Sequence, residues 1–252
     1  MEIIILMYKT ITMKKLFTVL TLMMVAVLSN AQETTMNASY YKVKLGHRNM
    51  LNKAMADHNA KFRPAGSTYA IVAYNLVGGE HNNEILILSN LGKSFKDRDQ
   101  MIPASKEAQD DLYANVHQHL EDITGGDVLV YKKEYSNSAF NERAEKALTT
   151  QYFLKYGVND EFWNVVKKLP AVWTKAGMKV AAYSPTTGST RLFLTRRLPN
   201  GWSELDENKN LAKAYDEVYG AGTYDKDIKI FRSYIERKDA IMMTLNKEMS
   251  SK

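Results

Sequence analysis

Histidine is the residue type whose distribution in this chain points most clearly to chemistry. All five histidines, His47, His58, His81, His117 and His119, precede the midpoint of the 252 residues. His58 falls on an apolar helical stripe, and His119 falls on a second predicted helix. A histidine facing a core must satisfy its ring nitrogens, so it either finds a hydrogen-bond partner or borders a polar cavity. We therefore take His58 and His119 as candidate ligand-binding residues, with a hydrogen-bonded core histidine as the alternative for each.

The spacing of the histidines does not predict a metal site. His117 and His119 are two residues apart, which places them about 200° apart around a helix, so they cannot chelate one ion. His58 and His119 lie in the later halves of two antiparallel helices, which separates them toward opposite ends of the layer. One histidine is compatible with axial ligation of haem, whereas a closed zinc site is not indicated. We expect no bound metal ion and no other cofactor.

Aromatic side chains form the second set of candidates. Tyr69 and Tyr74 flank the first strand of a predicted hairpin, and Trp163 lies beside the apolar stripe of a helix in the second half. A spacing of five residues places Tyr69 and Tyr74 on opposite faces of a regular strand, so at most one of them can share a pocket with His58. We add these three residues to the candidate ligand-binding set. No catalytic residue can be assigned from the sequence.

Several classes of function are disfavoured by what the sequence lacks. It has no phosphate-binding loop of the Gly-rich Lys-Ser/Thr type, no GxSxG and no HExxH. Lys and Arg number 34 against 28 Asp and Glu, which gives a net charge of +6 without any long basic block. We therefore expect no nucleic-acid partner.

The first 31 residues have the pattern of a secretory signal peptide. Lys14-Lys15 precede the mostly apolar run from Leu16 to Leu28, and Ser29-Asn30-Ala31 places small residues at the −3 and −1 positions. We expect cleavage before Gln32, with Met13 as the initiator, and export to the periplasm or beyond. The apolar run is too short to span a bilayer, so no membrane anchor should remain after cleavage. The chain has no cysteine, so its stability must come from packed cores.

The remaining chain repeats a pattern of features. Val43-Lys44-Leu45-Gly46 matches Leu154-Lys155-Tyr156-Gly157 at an offset of 111 positions. Farther along, an offset of about 100 places Asp127-Val128-Leu129-Val130-Tyr131 on Asp227-Ile228-Lys229-Ile230-Phe231. We interpret these matches as two copies of one structural unit.

Each copy is predicted to contain a strand, a helix, a hairpin, a second helix and a closing strand. In the first copy these elements are predicted at 40–45, 48–63, 69–76 with 84–89, 105–123 and 127–135. In the second copy they are predicted at 152–156, 160–175, 178–183 with 190–196, 204–219 and 227–234. Ala65-Gly66 and Ala176-Gly177 are expected to end the first helix of each copy. A terminal helix is predicted at 236–249 from the spacing of Ile241, Leu245 and Met249.

This order is the βαββαβ pattern of a ferredoxin-like unit and predicts an α+β fold. The units are expected at 38–136 and 150–236, joined by a polar connection and followed by a helical tail at 237–252. A four-stranded sheet with helices on one face must cover its other face, and two units can cover each other sheet against sheet. We therefore predict a pseudo-dimeric α+β barrel within one chain, and a monomer in solution.

In element order and duplication the chain resembles the dimeric α+β-barrel superfamily, which includes antibiotic-biosynthesis-type and haem-degrading monooxygenases. The resemblance covers about residues 40–236 and implies a ligand cavity between the helices and the sheet of one unit. We expect that cavity in the first, histidine-containing unit of an exported small-ligand-binding protein. A cofactor-free or haem-handling monooxygenase-like enzyme is one alternative, and a structural or interaction protein with filled cavities is another. Cofactor-free oxygenases of similar fold use Asn, Trp and His, a set that cannot be placed here residue by residue.

Overall fold

The computed structural model describes residues 33–64, 67, 69–188 and 190–251. Thr34–Lys252 forms one compact unit. The predicted signal peptide at 1–31 and the Ala65-Gly66 pair lie outside the described residues, so both stay predictions. The expected Gly177 stop is observed, because the helix before it ends at Lys175 and Gly177 takes a φ of 66°.

Eight antiparallel strands close into a barrel in the order β1-β3-β2-β8-β5-β7-β6-β4. The strands are β1 (Thr35–Val43), β2 (Val72–Val77), β3 (Ile85–Lys93), β4 (Leu120–Tyr131), β5 (Lys146–Leu154), β6 (Lys179–Pro185), β7 (Arg191–Arg197) and β8 (Ile235–Leu245). The order β4-β1-β3-β2 in the first half is followed by β8-β5-β7-β6 in the second. The halves join where β2 pairs with β8 and where β4 pairs with β6. The prediction of an α+β fold with a barrel is confirmed.

Helices cover the outside of the barrel. They are α1 (Arg48–Phe62), α2 (Phe95–Asp99), α3 (Lys106–Asp111), α4 (Asp160–Lys175), α5 (Leu211–Tyr219) and α6 (Thr223–Ser233). The apolar faces of α1 and α4 pack on the outer faces of the two halves of the sheet, because Leu51 and Met55 on α1 and Phe162 and Val166 on α4 are all buried there. None of the described helices is long and apolar enough to cross a membrane.

Alternation along each strand divides the core into an inner and an outer part. Met36, Ala38 and Tyr40 of β1 are buried inside the barrel, where they join inward-facing side chains of the other strands. Ile85 and Ile87 of β3 point the other way and pack against the helices of the first half. Because successive side chains of a strand point to opposite faces, a single register fixes both cores at once.

Two predicted elements near the C-terminus are wrong. The segment 227–234, predicted as a strand, belongs to helix α6, where Asp227 and Phe231 lie four residues apart on one buried face. The segment 236–249, predicted as the helical tail, contains strand β8. Strand β8 is held by backbone pairing on both edges, to β2 and β5, and this long-range pairing overrides its helix-like spacing.

The predicted helix at 105–123 is also interrupted. Helix α3 continues as a π-helical turn at Leu112–Val116 and a 3-10 turn at His117–His119, and β4 then begins at Leu120. The offset of about 100 positions that the sequence predicts for the later part of the repeat is not seen in the strand pairing. Thr35 pairs with Val130, and Lys146 pairs with Thr244, so offsets of 111 and 114 positions relate these two strand pairings.

Strand β8 allows a direct test of this inner and outer division. Ile241 is 3% exposed and faces the barrel interior, whereas its neighbour Met242 is half-buried and points outward. We expect Ile241→Ala to lower the free energy of unfolding by about 2 kcal/mol or more, since it removes buried methyl groups. The matched change Met242→Ala should cost clearly less, measured by urea unfolding. If the two variants lost equal amounts of unfolding free energy, the strand assignment would be contradicted. Equal losses are what two positions on a solvent-facing helix would give.

Candidate functional site

An apolar-lined cavity of about 340 Å³ lies inside the barrel. Side chains from all eight strands line it, together with the connection at residues 140–144. Ala38 and Ala147 are among the inward-facing residues, and their small side chains leave space that larger residues would fill. An eight-stranded barrel is just wide enough for its side chains to fill it or for one small ligand to be held. In this barrel the alanines favour a ligand.

One end of the cavity is polar and positively charged. Arg197, on the inward face of β7, is 7% exposed, and its Nη2 donates to the carbonyl oxygen of Ala139 at 2.9 Å. Burial raises the pKa of Tyr183 to about 12, an effect that nearby Arg197 partly opposes. Burial likewise raises the pKa of Tyr74, against the charges of Arg197 and Arg143. Both phenols are therefore protonated hydrogen-bond donors at neutral pH.

The Tyr40 end of the cavity has the opposite electrostatic character. Burial, followed by the negative charge of Asp127, raises the pKa of Tyr40 to about 12. Its ring stacks on His81 with a centroid separation of 3.6 Å, and His81 Nδ1 lies 2.8 Å from a Glu84 carboxylate oxygen. Asp127 is itself paired with Arg191 at 2.6 Å. An anion is therefore better placed at the Arg197 end than at the Tyr40 end.

The connection between the two halves lines the cavity beside Arg197. The Tyr131 hydroxyl donates to the carbonyl oxygen of Ser138 at 2.7 Å, and the Phe140 ring lies edge-on to Tyr131 at 5.8 Å. The Glu142 carboxylate accepts hydrogen bonds from Lys179 and from Ser138. The connection predicted as a polar linker is thus fixed by side-chain contacts.

The candidate histidines lie outside the barrel. His58 is 3% exposed, and its Nδ1 lies 2.8 Å from Asp111 Oδ2. His119 Nδ1 lies 3.1 Å from His47 Nδ1. His58 and His119 both border an open surface cleft of about 560 Å³ that is lined by residues of α1, α3 and the turns after it. His119 lies against His47, which is eleven residues before His58, or about 16 Å along a helix. The two candidates, His58 and His119, are therefore at opposite ends of that cleft.

The sequence predicts a cavity between the helices and the sheet of the first half, but buried side chains occupy that layer. Leu51 and Met55 of α1 meet Ile85 and Ile87 of β3 there, and Val116 packs with them. These side chains fill the layer, because the apolar stripe of α1 fits directly on the outward face of the sheet. The layer between α1 and the sheet is therefore filled, and the barrel cavity lies on the other face of the same sheet.

Of the five candidate ligand-binding residues, Tyr74 lines the barrel cavity. Tyr69 lies before β2 and donates to the carbonyl oxygen of Ile102. Trp163 stacks on Tyr135 at 5.4 Å in the outer layer of the second half. Sequence reasoning missed Arg197 and Tyr183. The signal for Arg197 was the two-residue alternation with Phe193 and Thr195, which places a charge on an inward face.

The described part of the chain contains no group of three or more His, Asp or Glu side chains arranged to hold a metal ion. No protein-family profile matches the chain, and no curated protein matches it either.

Solved structures with the same fold do exist. A candidate monooxygenase from Fusobacterium nucleatum subsp. nucleatum matches with a TM-score of 0.54 and 14% identity, over 86% of this chain and 94% of that one. A candidate monooxygenase from Lactobacillus acidophilus gives 0.50 and 11%, over 85% and 95%. A candidate chlorite dismutase gives 0.50 and 13%, over 86% and 96%. These similarities establish the dimeric α+β-barrel fold, and at such identities they establish the fold alone.

The buried His58 should make stability depend on pH. Burial lowers the pKa of His58 below its ordinary value, although the hydrogen bond that its ring donates to the Asp111 carboxylate opposes this. The unfolded state then binds the proton more readily than the folded state, so stability should fall as the pH drops below about 6.5. We expect His58→Gln to lose less unfolding free energy than the unsubstituted protein between about pH 7.5 and about pH 5.5. Asp111→Asn removes the opposing carboxylate and should steepen the loss. Identical slopes for all three proteins would refute this assignment.

Proposed function

We propose that the barrel interior binds one small, largely apolar molecule and that the protein acts on it as a monooxygenase-like enzyme. The observation that carries the proposal is the cavity of about 340 Å³ inside the barrel, lined mainly by inward-facing apolar side chains with a smaller number of polar groups. Small-molecule sites are typically concave and mostly apolar, with a few placed polar groups. The monooxygenase names of two solved structures of the same fold support the choice of reaction.

The cavity suits an oxidation in which the substrate itself supplies the electrons. Dioxygen is apolar, so a dry, apolar space can hold it beside the substrate. Arg197 and the protonated Tyr74 and Tyr183 would stabilise the enolate oxygen of a substrate that has lost a proton to solvent. The carbanion form then reduces dioxygen, and a CH₂ group becomes a carbonyl while the second oxygen atom leaves as water.

Haem does not fit the proposed site. The residues that line the barrel cavity include no histidine or cysteine. His58 is hydrogen-bonded to Asp111, and His119 lies against His47, on an outer cleft bordered by charged side chains such as Lys53 and Asp57. A haem needs an apolar slot beside its axial ligand. We therefore derive no step that involves haem.

A non-catalytic small-ligand-binding protein is the second candidate. The absence of histidine from the cavity lining favours it, because the carboxylate in that lining, Glu142, already accepts hydrogen bonds from Lys179 and Ser138, and the Lys179 contact lowers its pKa, which makes it a weak base. A structural protein with a filled barrel is less well supported, since the interior retains space.

The repeated strand order also supports two further parts of the proposal. We interpret β4-β1-β3-β2 and β8-β5-β7-β6 as two ferredoxin-like units whose sheets face each other within one chain. This pairing would let the protein function as a monomer. Export of the mature protein is proposed from the sequence of its first 31 residues.

Filling the cavity should abolish binding without unfolding the protein. Ala147 is 3% exposed and lines the cavity, whereas Ala240 is exposed on β8. We expect Ala147→Leu to weaken binding of the neutral fluorescent probe N-phenylnaphthylamine by about tenfold or more, because the leucine occupies its space. Ala240→Leu adds the same volume elsewhere and should leave binding unchanged. Unchanged binding by Ala147→Leu would place the probe outside the barrel.

Oxygen uptake distinguishes the two candidate functions. With anthrone, whose CH₂ group is acidic, a monooxygenase-like enzyme should consume dioxygen and form anthraquinone and water. The rate should fall with Ala147→Leu in parallel with probe binding. Tight probe binding without protein-dependent oxygen uptake would favour the binding protein instead.

A further inference from the structure

Arg197 stands out among the arginines of β7 because its buried charge lacks an anionic partner. Its contacts are with neutral groups, namely the Ala139 carbonyl oxygen and the nearby Tyr183 hydroxyl. Its Nε is buried without any hydrogen-bond partner among the described residues, as are the Nε atoms of Arg191 and Arg196, so the missing anionic partner is what sets Arg197 apart. The charge of Arg197 contributes to lowering the pKa of Glu142, but that carboxylate accepts its hydrogen bonds from Lys179 and Ser138. A buried guanidinium left in this state is costly unless something compensates it.

Arg191, six residues earlier on the same strand, shows the usual solution. Its guanidinium forms an ion pair with Asp127 at 2.6 Å. Arg196, the immediate neighbour of Arg197, points away from the cavity, is half-buried and donates to the carbonyl oxygen of Glu204 at 2.9 Å. Of these three arginines, Arg197 alone combines near-complete burial with a place in the cavity wall.

The surroundings of Arg197 provide what an anionic oxygen needs. Tyr74 and Tyr183 line the same cavity, and burial keeps both hydroxyl groups protonated and able to donate. Arg143 adds a second positive charge near Tyr74. The carboxylates of Glu84, Asp127 and Asp239 act on Tyr40, toward the other end. A negative group is therefore favoured at the Arg197 end, where the charges of Arg197 and Arg143 outnumber that of Glu142.

We infer that Arg197 anchors the anionic oxygen of the bound molecule, so that the ligand class is an apolar molecule bearing one carboxylate, phenolate or enolate group. The ligand body then lies among the apolar side chains of the barrel, and its oxygen receives hydrogen bonds from the guanidinium and the phenols. This inference rests on the proposed use of the barrel cavity and specifies the ligand for that same site. It also explains why an otherwise uncompensated charge is retained in the wall.

Two probes that share one ring system and differ by a single sulfonate group test the inference. N-phenylnaphthylamine is neutral, and anilinonaphthalene sulfonate is the same ring system with one sulfonate. We expect the full chain to bind the sulfonate more tightly than the neutral probe. Arg197→Met should weaken sulfonate binding by about tenfold or more while neutral binding stays within about twofold, because only the charged contact is lost. Arg197→Lys should restore part of the preference, and Arg196→Met should behave as the unsubstituted protein.

The possible outcomes separate the inference from the function on which it rests. If both probes bind and Arg197→Met affects them equally, the anion anchor is wrong while the barrel site stands. If neither probe binds the unsubstituted protein, or Ala147→Leu affects neither, the barrel site itself is wrong and the inference falls with it. Thermal unfolding controls for folding, and Arg197→Met should keep or raise the midpoint because it removes a buried charge without an anionic partner.

Discussion

Closure of the barrel is the constraint on which the rest of this structure depends. Strand β8 pairs with β2 on one edge and β5 on the other, and β4 pairs with β6, so the two halves of the chain share one continuous sheet. Closure leaves no edge strand exposed, and alternation then assigns every inward side chain to one interior. The small side chains of Ala38 and Ala147 leave a cavity in that interior. The backbone hydrogen bonds that close the barrel therefore also surround the cavity.

The chemistry of the site follows from where the polar side chains can lie in such an interior. Helices fill the outer faces, so the histidines of the first half meet partners there: His58 pairs with Asp111, and His119 lies against His47. Inside, the polar groups are placed by strand alternation alone. Arg197 and Tyr183 reach one end, and Tyr40 with its acidic neighbours lies toward the other. The result is an apolar cavity with a directional field.

The sequence predicts much of the architecture and little of the site. The sequence predicts the helix at 160–175 with its observed bounds, because its stripe of Phe162 and Val166 and its glycine stop are local signals. The local sequence does not predict strand β8, because one of the strands that pairs with it, β2, is more than 150 residues away, as in the pairing of Tyr74 with Leu245. The histidines are candidates by residue type alone, and their partners, such as Asp111 for His58, are visible only in the folded chain. The burial of Arg197 cannot be predicted from the sequence, because it depends on closure of the barrel around that side chain.

The central claim is that the ligand lies between the two halves of the sheet rather than beneath or among the helices. Crystals soaked with a brominated naphthalene carboxylate would test it directly, because the bromine position is visible by anomalous scattering. The account predicts one bromine peak inside the barrel, with the carboxylate within hydrogen-bonding distance of Arg197. A peak in the cleft between His58 and His119, or between α1 and the sheet, with an empty barrel would contradict it.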